Sequence, residues 1–156
     1  MNRLTALKIK CEDGLDIITG ISWLDPNNIP YSVSKIMFDI DTDLASAIEE
    51  LTIDFWQDTF GTSISSPQIH SLAIGWDDVG EPEAFAFKAT VVSKVFGELK
   101  PISVPSPEQI HVSDHSADII ELSRLAIVAF EFYRDSLPKQ GELFALPDLE
   151  TKKVAA

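Results

Sequence analysis

The hydrophobic period of this chain changes from two to about 3.6 and back again, and that change restricts the fold more than any single motif does. In TALKIKC, Leu7, Ile9 and Cys11 share one face, with Ala6, Lys8 and Lys10 on the other. Such alternation predicts a half-buried strand. CEDGLD follows as a turn, with Asp13-Gly14 as the hairpin signal. IITGISWL predicts a second strand, which DPNNIP breaks through Asp25-Pro26 and Ile29-Pro30. YSVSKIMFDI predicts a third, with Ile36, Phe38 and Ile40 on one face.

From Leu44 the spacing is helical. Leu44, Ala47, Ile48, Leu51, Phe55 and Trp56 form one apolar side of a helix expected over 43–60. Asp41, Thr42 or Asp43 can cap its start, and Gly61 suits its end. IHSLAIGW and AFAFKATVVSKVF return to strand spacing across the acidic turn DDVGEPE. Phe85, Phe87, Ala89, Val91 and Val95 share a face of the second of these. ELKPISVPSP reads as a short extended piece interrupted by prolines. SADIIELSRLAIVAFEFYRDSL then carries a wide apolar stripe of Ile119, Leu122, Ala126, Ala129, Phe130 and Tyr133. This second helix should be mostly buried and end by Leu137, ahead of Pro138. A helical turn can also begin earlier, at Ser106-Pro107-Glu108-Gln109, which has capping-box spacing. GELFALP reads as a short final strand.

Strands joined by short turns favour antiparallel pairing. The predicted class is therefore α+β: a two-layer sandwich with an antiparallel sheet of five to six strands, two main helices on one face, and the order βββα-ββ(β)α. The halves resemble a degenerate structural repeat without residue-level repetition. At 156 residues the chain suits one domain, expected over 1–150, with 151–156 as a flexible C-terminal tail. That length supplies a core without disulfide or metal.

The formal net charge is -13. Such a balance disfavours direct binding to nucleic acid or to an anionic membrane, both of which recruit Lys and Arg. It favours a basic protein partner. Cys11 is the only cysteine, so an intrachain disulfide is excluded and a cytoplasmic setting is expected. The opening MNRLTALKIK lacks the apolar core of a signal peptide, and no run is long enough for a membrane helix.

The acids are concentrated. No lysine or arginine lies between Lys35 and Lys88, whereas Asp39, Asp41, Asp43, Glu49, Glu50, Asp54, Asp58, Asp77, Asp78, Glu81 and Glu83 all do. On a helix, Glu50, Asp54 and Asp58 are like-charge neighbours four residues apart, each pair costing about 0.2–0.5 kcal/mol. Asp58 also opposes the helix dipole, while Asp43 is favoured by it. Carboxylates four residues apart rise about 6 Å along the axis, of the same order as the spacing of phosphates along a nucleic-acid strand. These residues are the candidate partner-binding set, a row of charge able to occupy a groove built for a phosphate backbone. The competing reading is a solvated helix face.

Other constellations carry less. Asp39, Asp41, Asp43 and Glu50 fall at positions 1, 3, 5 and 12 of a calcium loop, but Leu44 stands where that loop needs glycine. In HVSDHSAD, His111, His115 and Asp118 share one side if the helix starts early, which is a metal-ligand spacing. The competing reading is a polar helix start capped by Ser113 or Asp114. Cys11 follows Lys10 but shares the Leu7 and Ile9 face, so it reads as core and not as a nucleophile. His70 reads as a strand residue, and Trp56 as core or an interface anchor.

In size and charge the chain resembles the small acidic inhibitors of restriction and CRISPR systems carried by phages and mobile elements, although no motif carries that resemblance. The expectation is a non-enzymatic acidic binding protein without cofactor, of the kind that mimics nucleic acid, whose partner is a basic nucleic-acid-binding protein. The alternatives are a metal-binding domain or metal-dependent enzyme using His111, His115 and Asp118, and a structural subunit or homodimer with a solvated acidic face.

Overall fold

The structure is a computed structural model describing residues 1–60, 68–95, 97–105, 112–137 and 150–153; the side chains of 54–60, 93–95, 99, 102–105 and 150–153 stand outside the description. The expected stop at Gly61, the turn at Ser106–Gln109, His111 and the GELFALP strand therefore lie outside the described residues, as do the side chains of Phe55, Trp56 and Val95.

Two β-meanders, each followed by a helix, make the fold. The first comprises β1 (Arg3–Glu12), β2 (Leu15–Leu24) and β3 (Pro30–Asp39), then α1 (Thr42–Phe60). The second comprises β4 (Gln68–Trp76), β5 (Pro82–Val95) and β6 (Glu98–Pro105), then a 3-10 turn over Val112–His115 and α2 (Ser116–Ser136). A short β7 (Glu150–Lys153) completes the described chain. The sheet order is β6-β5-β4-β1-β2-β3-β7, and every pairing is antiparallel. The first strands of the two meanders are therefore central neighbours, which gives the repeat suspected from the sequence a pseudo-symmetric sheet order.

The predicted α+β sandwich and its element order are what the structure shows, with β7 as an added edge strand. Residues 151–153, expected in a flexible tail, instead pair with Val33, Ser32 and Tyr31 of β3. An extended run of Thr and Lys can take up the open ladder of an edge strand through backbone bonds alone.

Local chemistry explains most boundaries. Asp13 and Gly14 take φ of 52° and 79°, and Glu12 pairs with Leu15 across them. Two consecutive left-handed residues are what a type I′ hairpin demands. Asp25 holds the next turn by accepting the Asn27 and Ile29 N–H groups on its Oδ1, at 2.8 and 2.9 Å. Pro101 is tolerated in β6 because β6 is an edge strand. Leu137 is extended at ψ 145°, as expected of a residue before proline, and α2 ends there.

One core lies between the sheet and the two helices. Leu4, Leu7, Ile18, Ile21 and Leu72 from the sheet meet Leu44, Ile48 and Leu51 of α1 and Ile119, Leu122 and Phe130 of α2. Trp23 stacks on Tyr31 at 5.6 Å and tilts against Phe130 at 5.3 Å. The other sheet face carries mostly small and polar residues. Ser32, Ser22, Ala6, Ala73 and Ala86 form one cross-strand row, and Ser34, Gly20, Lys8, Ser71 and Lys88 form the next.

One expectation from strict alternation fails. Cys11 is exposed, not core, because it stands near the tip of the β1–β2 hairpin, where Lys10, Leu15 and Asp16 beside it are exposed too. In β3, Val33 and Ile36 are both buried although three residues apart. Lys35 between them has φ 59°, and the β2–β3 register shifts between Ile18 and Gly20. A bulge there changes which parity faces the core. On α2 the outer face is less polar than expected, since Val128 and Phe132 are exposed there.

Candidate acidic binding face

The acidic run begins where β3 becomes α1. Asp39 closes β3 opposite Ile17, and the Ile40 N–H donates to the Asp16 carbonyl at 3.3 Å. Asp41 caps the helix. Its Oδ1 accepts the Leu44 N–H at 2.8 Å, and its carbonyl takes the Ala45 N–H at 2.9 Å. That accounts for one acid of the run by a structural role, because the first turn of a helix has N–H groups with no internal partner.

The rest of the turn-by-turn pattern follows from burial. Leu44, Ile48, Leu51 and Thr52 face the core, so Asp43, Glu49 and Glu50 face water. Thr52 sits in the apolar face without penalty because its hydroxyl donates to the Ile48 carbonyl at 2.7 Å. Asp39, Asp43 and Glu50 enter no ion pair among the described residues. Asp54 and Asp58 are backbone positions farther along α1, their side chains outside the description.

The calcium-loop reading of Asp39, Asp41, Asp43 and Glu50 is corrected by this geometry. The segment is a strand end, a cap and a helix, with fully buried Leu44 at the position where the loop would turn.

The second acidic group, Asp77, Asp78, Glu81 and Glu83, is not brought to the first. Trp76 lies beside the N-terminal end of β1, where its Nε1 donates to the Leu4 carbonyl at 2.8 Å. Asp39 lies across β2 from the C-terminal end of β1. The two groups are thus at opposite strand ends, about 20 Å apart along the strand direction. Asp77 has a structural role as well. Its Oδ1 accepts the Val79 and Glu81 N–H groups at 3.0 and 2.9 Å, closing a turn that passes through Gly80 at φ 86°. Asp78, Glu81 and Glu83 are exposed.

Of the residues in the metal reading, His111 lies outside the described residues, so only His115 and Asp118 are placed. Val112–His115 is a 3-10 turn, and His115 is the residue preceding α2, with φ -122° and ψ 14°. Neither Ser113 nor Asp114 provides the expected cap; Ser116 instead donates its hydroxyl to the Val112 carbonyl at 3.4 Å. Among the described residues no group of three His, Cys, Asp or Glu could hold a metal ion. His70 is a strand residue whose Nε2 meets the Thr90 Oγ1.

The sequence run missed Asp16. Hairpin register opposes it to Cys11, and the next pairing places its neighbour Ile17 opposite Asp39. Asp16 and Glu49 thereby border one cleft of about 180 Å³ between α1 and the sheet, walled by Ile9, Ile40, Ile48 and Ile69. The Asp13-Gly14 turn is the signal that could have found it, since a two-residue loop sets the pairing of β1 with β2.

No helix among the described residues is long and apolar enough to cross a membrane. Compared with known proteins, the chain matches no family, no curated sequence and no solved structure.

Proposed function

We propose that the chain is a non-enzymatic binding protein that presents the β3–α1 acidic face to a basic, nucleic-acid-binding surface of another protein. One observation carries this reading: Asp39 at the end of β3 and Asp43 and Glu50, two turns apart on α1, are exposed, with no ion pair among the described residues to neutralise them. Structural roles account for Asp41 and Asp77, but not for these three. Rigid, unpaired charge of one sign steers a partner of the opposite sign and raises its association rate. The Asp77–Glu83 turn, at the far end of the strands, is left out of this face.

The test is charge reversal at Glu50, Asp54 and Asp58. Wild-type protein and the triple lysine variant are immobilised and exposed to lysate of the source cell, with elution by a salt gradient. Wild type should retain a basic nucleic-acid-binding protein that elutes with salt and is displaced by added duplex DNA. The variant should retain much less of it while keeping its fold by circular dichroism. Equal retention by both proteins would refute the reading.

A further inference from the structure

The cleft at the start of α1 has a size and chemistry that restrict its ligand. Its volume of about 180 Å³ is below the range of roughly 300–1,000 Å³ usual for cofactor and drug-sized sites. It can accept a single side chain. Its walls are branched aliphatic groups from both layers, and its charged lining residues among those described are Asp16 and Glu49. A bare divalent cation would require several oxygen ligands, which isoleucine walls do not supply. An anion would meet two carboxylates. A wholly apolar group would gain nothing from either carboxylate. The group that uses both parts is an aliphatic chain ending in a cation, whose methylenes bury while the charged head stays at the rim.

We infer that this cleft receives one lysine or arginine side chain of the partner protein, its stem against Ile9, Ile40, Ile48 and Ile69 and its charged head beside Asp16 and Glu49. The inference rests on the acidic face being a docking surface for a basic protein, and it supplies that face with an anchor. Asp39, Asp41 and Asp43, close by in the chain to Ile40 and Ala45 of the cleft, add negative potential at its entrance. A charged row alone gives on-rate and weak, salt-sensitive binding, whereas a side chain seated in a matched cleft gives residence time and register.

The experiment uses the full chain with its isoleucine δ1-methyl groups labelled with carbon-13, titrated with n-butylguanidinium, n-butanol and n-butyrate in parallel. Butylguanidinium should give saturable shifts at Ile9, Ile40, Ile48 and Ile69, leaving Ile21 and Ile119 unmoved. Butyrate should give none, and butanol a weaker response. The double variant Asp16→Asn, Glu49→Gln should bind butylguanidinium about fivefold more weakly or worse, as expected when charge-assisted contacts are lost. Ala45→Leu, which places bulk in the cleft, should abolish the response with the carboxylates intact. Absence of saturation, equal saturation by butanol, or an undiminished response in both variants overturns the inference. Failure of the two readings is separable. Silent cleft methyls in a protein whose basic partner is lost on charge reversal overturn the cleft alone. Responsive methyls in a protein whose partner binding ignores charge reversal support the cleft and remove the acidic-face reading.

Discussion

The hydroxyl of Ser123 on α2 accepts the backbone N–H of Leu4 on β1 at 2.9 Å, in the buried interior. The β1–β2 register shifts between Leu4 and Ala6, so the ladder is interrupted beside this residue. Leu4 also gives its carbonyl to the Trp76 indole. A strand break in the middle of the core is thus satisfied by one side chain from a helix and one from a neighbouring strand. Ser123→Ala would strand a buried N–H, and leaving such a group unpaired costs about 1–3 kcal/mol. Urea unfolding should show a loss in that range with an unchanged slope. A loss below about 0.5 kcal/mol would mean that the bond contributes little or that water replaces it.

Asp41 and Asp43 stand two residues apart but should behave differently. Asp41 caps α1 through the Leu44 N–H, whereas Asp43 is exposed in the first turn. Asp41→Ala should cost about 1 kcal/mol, and Asp41→Ser should recover most of it. Asp43→Ala should cost only a few tenths of a kcal/mol through the helix dipole. Thermal melts of the three variants check the order. Equal losses at both positions would argue against the cap.

Lys35 adopts a left-handed backbone within β3, where the bulge brings both Val33 and Ile36 to the core. A side chain bearing Cβ is strained by roughly 1 kcal/mol or more in that region. Lys35→Gly should therefore leave stability unchanged or raise it, despite glycine's entropic cost. Lys35→Val should lower it by at least about 1 kcal/mol, because a β-branched residue resists positive φ. Chemical denaturation of both variants tests the bulge directly.

On α2, Arg124 Nε donates to Glu121 Oε2 at 2.9 Å, in an exposed pair one turn apart. Hydrogen bonding to Arg124 holds the Glu121 carboxyl below its ordinary range. A carboxylate depressed in the folded state stabilises the fold above its unfolded pKa and loses that contribution as pH falls through the folded value. Glu121→Gln should make the acid limb of the stability profile slightly shallower between the ordinary glutamate range and the lower folded value. Near neutrality and on the alkaline side the slope should be unchanged, the variant lying below wild type by a small constant amount. Because the pair is in water, raised salt should diminish the effect. Melting temperature followed against pH at low and high salt provides the measurement.

The elements of this protein were legible because their causes are local. Alternation at Ile36 and Phe38 and helical spacing at Leu44, Ile48 and Leu51 report a residue's neighbours within one or two turns. Asp13-Gly14 selects its hairpin from two dihedral preferences, and Pro138 ends α2 by a steric clash with the residue before it. The exposed carboxylates of α1 follow similarly, since burying Leu44, Ile48 and Leu51 turns Asp43, Glu49 and Glu50 outward. What needed the tertiary structure depends on contacts between segments distant in sequence. The central pairing of β1 with β4 placed the Asp77 turn at the far end of the strands from Asp39 and divided one acidic run into two groups. The bulge at Lys35 brought Val33 to the same side as Ile36, three residues away. The cleft joined Asp16 of the first hairpin to Glu49 of α1 although nothing in the run of acids includes Asp16. Composition and period determined what the elements are and which face of each is charged; register and strand order, which only long-range packing selects, decided which charges share a surface.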